Sequence, residues 1–157
     1  MRIRRILAPT DFSTVSLEAV EYAAQVAAEL RAELAILYVE DTTYALPAQL
    51  ATSDAAARVM KEAHRAAEHQ LATLGQRLRK RGLRVHTLIL EGAAASRILE
   101  AAAKLRADWI LLGTHGRTGA SHAFLGSVVE RVVRRAPCPV LVLPGPAAPV
   151  RRRSKAR

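Results

Sequence analysis

Residues 113–127 read Gly-Thr-His-Gly-Arg-Thr-Gly-Ala-Ser-His-Ala-Phe-Leu-Gly-Ser, four glycines directly after the apolar run Trp-Ile-Leu-Leu of 109–112. Glycine lets a backbone approach a ligand closely and adopt positive φ. Successive amides in such turns form a concavity that binds anions. The stretch runs into Val-Val-Glu-Arg-Val-Val-Arg-Arg-Ala, residues 128–136, which reads as a helix. Ser127 followed by Glu130 has the spacing of a capping box with Ser127 as N-cap. The amides of Val128 and Val129 and the helix dipole then point back at the loop, and that end of a helix attracts phosphate. His115 and Arg117 add donors. No Gly-Lys-Ser/Thr is present, so no fixed ammonium reaches a terminal phosphate as it does in a P-loop. Spacing alone leaves another reading open: Gly113 and Gly116 serve turns, Ser127 only caps its helix, and Arg117 faces water.

Other residues that could do chemistry are few. Asp11 follows Pro9-Thr10 at the end of an apolar segment and could sit against a sugar or hold Mg²⁺. Phosphoryl transfer needs a positioned water, a base and charge compensation. Only His115 offers a base near neutral pH, and a loop histidine that hydrogen-bonds phosphate or faces solvent is the simpler reading. No catalytic residue is assigned, and phosphate hydrolysis is expected to be slow or absent. His64 and His69 are five residues apart on a helix, face different directions and read as surface residues. His86 and His122 show no partner. The single cysteine, Cys138, excludes an internal disulfide and a cysteine-built zinc site, and reads as a small buried hydrophobe.

The elements that must position these residues alternate along the chain. Strands are expected at 2–8, 33–39, 83–90, 108–112 and 139–143, and helices at 13–31, 55–81, 94–106 and 128–136. In the first helix Val20, Ala23, Ala24, Ala27 and Leu30 share a face, opposite Glu18, Glu21, Gln25 and Glu29. The second carries Val59, Ala63, Ala66, Leu71, Leu74 and Leu78 inward and ends at Gly82. Continuous apolar strands alternating with helices imply an α/β fold, a parallel sheet covered on both faces. Right-handed crossovers leave the doubly wound five-stranded order 3-2-1-4-5 as the simplest arrangement. Ligands bind beyond the carboxyl ends of the strands where the winding reverses, here between the first and fourth. The loops emerging there are Pro9-Thr10-Asp11 and the glycine stretch.

Length and composition agree. A chain of 157 residues is one domain with an aliphatic core, half of its residues being apolar and few aromatic. No apolar run approaches the ~20 residues that cross a bilayer. The apolar part of the N-terminus stops at Pro9, too short for a signal peptide. With one cysteine as well, a cytoplasmic location is expected. Net charge is +10, and the tail from Arg151 to Arg157 supplies five positive charges and no negative one. Residues 1–145 form the ligand-binding domain in this reading. Residues 146–157 are a basic tail, read as disordered and able to make weak polyanion contacts by counterion release. The last strand, Val140-Leu-Val-Leu143, would lie at a sheet edge. An apolar edge is a pairing hazard, most simply covered by the same strand of a second copy, giving a homodimer.

The pattern Gly-x2-Gly-x9-Gly-Ser, met by Gly113, Gly116, Gly126 and Ser127, resembles the ATP-binding signature of the universal stress proteins. The resemblance runs from about Ile3 to Pro144 and includes Pro9-Thr-Asp-Phe-Ser13, the strand ending at Val39, and Cys138-Pro-Val-Leu-Val-Leu143. It implies a Rossmann-like fold of the adenine nucleotide alpha hydrolase type. It also implies ATP, with or without Mg²⁺, in the crevice and a stress-response role. Pro9, Thr10 and Asp11 would flank the adenosine, with Asp11 near the ribose or a metal, and Val39 would meet the adenine edge through its backbone. Gly113, His115 and Gly116, with Arg117 nearby, would wrap the phosphates, and Gly126, Ser127 and Val128 would donate to them. The alternative is a nucleotide-independent interaction module whose basic tail binds nucleic acid or an acidic surface.

Overall fold

Three aliphatic runs, Ile-Leu-Ala at 6–8, Leu-Ala-Ile-Leu at 34–37 and Ile-Leu-Leu at 110–112, form the centre of a sheet buried on both faces. The computed structural model describes residues 2–41, 54–114 and 126–144. In chain order these form β1 (Arg5–Thr10), α1 (Thr14–Leu30), β2 (Glu33–Glu40), α2 (Asp54–Lys80), β3 (Arg84–Glu91), α3 (Ala94–Leu105), β4 (Trp109–Gly113), α4 (Ser127–Arg135) and β5 (Val140–Leu143). All pairings are parallel and the order is β3-β2-β1-β4-β5, as the alternation predicts. One core layer lies between the sheet and α1 with α2, around Val20, Ala24, Leu71 and Leu78. The other lies under α3 and α4, around Ile98, Ala102, Val129 and Val132. Among the described residues no helix is long and apolar enough to cross a membrane.

Two expected faces differ. Leu30 is 42% exposed, because α1 ends there and Arg31 turns the chain away. In α2, Ala67, Leu71, Leu74 and Leu78 are buried, whereas Val59, Ala63 and Ala66 are exposed and Ala56 is buried instead. The reason is length. Twenty-seven helical residues span ~40 Å, while the eight residues of β3 span ~26 Å. The first half of α2 therefore projects past the carboxyl end of the sheet, where none of the described strands covers its apolar positions.

Helices α1 and α3 both close through a left-handed residue that is an arginine, Arg31 at φ 54° and Arg106 at φ 50°. Glycine occupies that conformation without the Cβ clash. Arg31→Gly and Arg106→Gly are each expected to raise stability by about 0.5 kcal/mol, the relief of strain being partly offset by the freer unfolded chain. Thermal melts of the purified variants check this. A fall in melting temperature at both sites would refute it.

At the amino end of the sheet, Asp108 Oδ2 accepts from the amides of Arg4 at 2.7 Å and Arg5 at 2.9 Å, tying β1 to the start of β4. These amides, more than the nearby guanidinium charges, hold the Asp108 carboxyl below its ordinary value of 3.8. A depressed folded pKa contributes stability that is present above that ordinary value and lost as pH falls through the folded one. The acid limb of the stability curve, measured by urea unfolding from pH 5 downward, is expected to be shallower in Asp108→Asn than in the wild type. Parallel limbs would remove Asp108 from the explanation.

Candidate functional site

The cleft begins with a proline. The carbonyl of Arg4 accepts from Glu33 N at 2.7 Å and that of Arg5 from Asp108 N at 2.9 Å. Even-numbered residues of β1 thus present their backbone groups to β2 and odd-numbered ones to β4. Pro9 falls on the β4 side and has no N–H to donate. The β1–β4 register accordingly stops at Leu7–Ile110, while β1 stays paired with β2 as far as Thr10–Tyr38. The sheet is split at its carboxyl end between the two strands where the winding reverses.

The turn after β1 is held by side chains. The Ser16 hydroxyl donates to the Ser13 carbonyl at 3.0 Å, leaving its oxygen to accept from the Thr10 hydroxyl at 3.0 Å and from Asp11 N at 3.3 Å. Thr10 Oγ1 accepts in turn from Phe12 N at 3.0 Å, and Thr10 and Ser16 are both buried. Asp11 Oδ1 accepts from Ser13 N at 3.0 Å and Ser13 Oγ at 2.6 Å. Ser13 caps α1 through Ser16 N at 3.3 Å. Between these anchors Phe12 sits at φ 63° and stacks on Tyr38, with ring centroids 4.9 Å apart. A left-handed phenylalanine costs about 1 kcal/mol or more, and the network on either side over-determines it. Asp11 is therefore a fixed carboxylate.

Opposite stands the start of α4, with one correction. The N-cap is Gly126, at φ −59° and ψ 148°, and makes no side-chain cap bond. Ser127 is the first helical residue, so Glu130 falls one position too late to close a capping box. Glu130 pairs with Arg134 at 2.9 Å instead, and its amide makes the bond to the Gly126 carbonyl. The amides of Ser127, Val128 and Val129 precede that bond and belong to the helix end without intrahelical acceptors. Gly126 N donates to the Thr114 carbonyl at 3.0 Å, and Thr114 N to the Leu143 carbonyl at 2.9 Å. Where the chain leaves β4 and re-enters at α4, the first of these hydrogen bonds joins Thr114 to Gly126.

Together these elements enclose a cleft of about 400 Å³, a size within the range of small-molecule sites. Pro9, Thr10, Asp11, Val39, Gly113, Gly126, Ser127 and Val128 all line it. His115, Gly116 and Arg117 lie outside the described residues, as do His122 and the tail beyond Pro144.

Sequence comparison bears on the same residues. The profile of the Universal stress protein family matches residues 2–144. The chain belongs to the universal stress protein family. It is 39% identical over 145 residues to Universal stress protein MJ0531 of Methanocaldococcus jannaschii, covering 91% of this chain and 83% of that one. Among solved structures it is similar to universal stress protein UspA from Lactobacillus plantarum, with TM-score 0.81 and 26% identity over 91% of this chain and 99% of that one. It shares its fold with a universal stress protein solved in complex with cAMP, with TM-score 0.66 and 24% identity over 91% and 98% of the two chains.

This universal stress protein also builds its cleft from residues that the sequence reading did not select. Tyr38, Asp41, Ile98 and Leu112 line it. Asp41 Oδ2 lies 3.4 Å from Ala94 N, at the start of α3, where the preceding residue offers no side-chain cap. Its place just past the end of β2, beside β1, was the available signal. His64 is a half-exposed surface residue, as expected, and has acidic partners: its Nδ1 lies 2.7 Å from Glu40 Oε2 and its Nε2 3.4 Å from Glu68 Oε1. The Glu40 hydrogen bond, with the charges of Glu68 and Glu91, raises the imidazole pKa above 6.5. What that pair contributes is present below 6.5 and lost as pH rises through the raised value. Cys138 is half-buried against the lower core, and burial, then the Asp108 charge, keeps its thiol protonated at neutral pH.

Proposed function

We propose that this protein binds ATP in the cleft between β1 and β4 as a regulatory or stress-response protein, with hydrolysis slow or absent. One observation carries the reading. Where the Pro9 gap splits the sheet, the uncapped amino end of α4 meets the rigid Thr10-Asp11 turn across a cleft of nucleoside size. The adenosine lies against Pro9, Tyr38 and Val39, with Asp11 beside the ribose. The amides of Ser127 and Val128 and the Ser127 hydroxyl take the phosphates, and His115, Gly116 and Arg117, outside the described residues, are proposed as further phosphate contacts. The related protein solved with cAMP supports an adenine nucleotide as the ligand class. Among the described residues no three metal-binding side chains converge. A Mg²⁺ ion accompanying the triphosphate would have the Asp11 carboxylate in the same cleft.

Mass analysis of small molecules released from the purified protein tests this, together with a melting-temperature titration with ATP. Gly126→Val is the sharpest variant, because the Gly126 backbone, at φ −59° and ψ 148°, lies in a region open to valine. Gly116→Val is its companion. A wild-type protein that carries no nucleotide and whose melting point ignores ATP would end the proposal. In the same reading β5 pairs with its copy about a two-fold axis, since Leu141 on this edge strand is 41% exposed. Sedimentation of wild type and Leu141→Lys reads that out, and a monomeric wild type refutes it.

A further inference from the structure

The end of the molecule opposite the cleft is strongly basic. In a parallel α/β sheet the strand starts and helix ends share one side, and here they carry a large excess of positive charge. Residues 2–5, 29–33, 79–84, 104–108 and 134–136 hold twelve arginines and lysines against three carboxylates. At the carboxyl end, residues 10–14, 39–41, 90–94, 113–114 and 126–128 hold four carboxylates and no arginine or lysine. Compensation of helix dipoles accounts for a basic residue at a helix end. It does not account for those at the strand starts, Arg2, Arg4, Arg5 and Arg84. Arg5 pairs with Glu33, and Arg81 with Glu21. Arg2, Arg4, Arg31, Lys80, Arg106 and Arg135 are exposed and make no ion pair among the described residues.

These cations belong to one surface. Arg84 Nη2 donates to the Arg31 carbonyl at 2.6 Å, Arg5 Nη1 to the Leu105 carbonyl at 2.9 Å beside Arg106, and Arg4 N to Asp108 at 2.7 Å. Arg5 and Lys104, with Glu33 and His86, line a hollow of about 270 Å³ at this end. The four strand starts from β3 to β4 make a row of ~15 Å at the usual strand spacing, enough to reach phosphates on both sides of a groove ~12 Å wide. Arginine predominates, and its planar fork matches phosphate oxygens. Single-stranded nucleic acid calls for exposed aromatic platforms. The aromatic among these strand starts, Trp109, packs against the core instead. A membrane surface calls for clustered apolar anchors. Leu30 and Val133, exposed near this end, sit on helices that cover opposite faces of the sheet.

We infer that the amino-terminal end of the sheet is a docking face for double-helical nucleic acid, held through its phosphate backbone without regard to sequence. The face is separate from the cleft and independent of the basic tail. Fluorescence anisotropy of the full chain with a labelled 20-base-pair duplex tests it. Affinity is expected to fall with salt at a log–log slope of about −4 to −5, for some five phosphate contacts. Arg4→Gln, Arg31→Gln and Arg106→Gln together are expected to weaken binding at least tenfold and to flatten the slope by about 3. The same three positions as lysine are expected to keep the slope, which separates charge from folding. Arg151→Gln, Arg152→Gln and Arg153→Gln together are expected to change affinity by less than about threefold. The inference is overturned if the duplex does not bind at low salt or if the tail variant alone abolishes binding. It is equally overturned if the glutamine and lysine triples are equally weak, or if the chain sediments with phosphatidylglycerol vesicles and ignores the duplex.

Discussion

Replacing Gly113 with alanine is expected to destabilise the protein by about 1–3 kcal/mol before any ligand is added. A Cβ built on Gly113 would lie 2.6 Å from Val15 Cγ1 and 3.0 Å from the Val15 carbonyl oxygen. The methyl group can shift, but the carbonyl belongs to the first turn of α1, which the Ser13-Ser16 network holds in place. Gly113 therefore lets α1 lie close on the end of β4, whatever a nucleotide requires of it. The midpoint of urea unfolding at unchanged m-value reads the effect. Adding Val15→Ala is expected to recover part of the loss, because the two sites touch and their effects are not additive. A wild-type midpoint in Gly113→Ala, with only ATP affinity reduced, would return this glycine to the ligand alone.

Ser127→Pro separates the two properties in the opposite sense. Proline suits the first helical position, where its missing N–H costs no helical bond. The preceding residue must be extended, and Gly126 at φ −59° and ψ 148° already is. Stability is expected to stay within about 0.5 kcal/mol of wild type. ATP affinity is expected to fall by about 10²–10⁴-fold, since an amide and a hydroxyl that would face phosphate are both removed, each hydrogen bond to a charged group contributing about 1.5–3 kcal/mol. Isothermal titration of ATP into both proteins decides it. Equal affinities would show that the start of α4 does not hold the phosphates.

Period and punctuation along the chain were enough to place the strands and helices to within a few residues, and with them the sheet order. The strands are apolar throughout, as burial on both faces requires, and right-handed crossovers then leave little choice. The crevice was legible for the same reason: a doubly wound order puts the ends of β1 and β4 side by side. Eight of the residues chosen from the sequence line one cleft, because strand ends and glycines leave local signals.

Tertiary distances decided the rest. Val59, Ala63 and Ala66 keep helical spacing yet face water, since periodicity is blind to a helix outrunning its sheet. The capping box is a spacing rule, and a one-residue shift in where α4 begins moved the cap to Gly126. Gly113 reads as a ligand glycine until Val15 is found against it. Tyr38 and Asp41, at and just past the end of β2, and Ile98, in α3, enter the cleft from segments far apart in the chain, and no pattern within either one records that meeting. The sequence alone determined which segments are strand or helix and where their ends converge, because those follow from local periodicity. Which side chains touch across that convergence was left to the folded chain, because contact depends on element lengths and packing distances that local pattern does not encode.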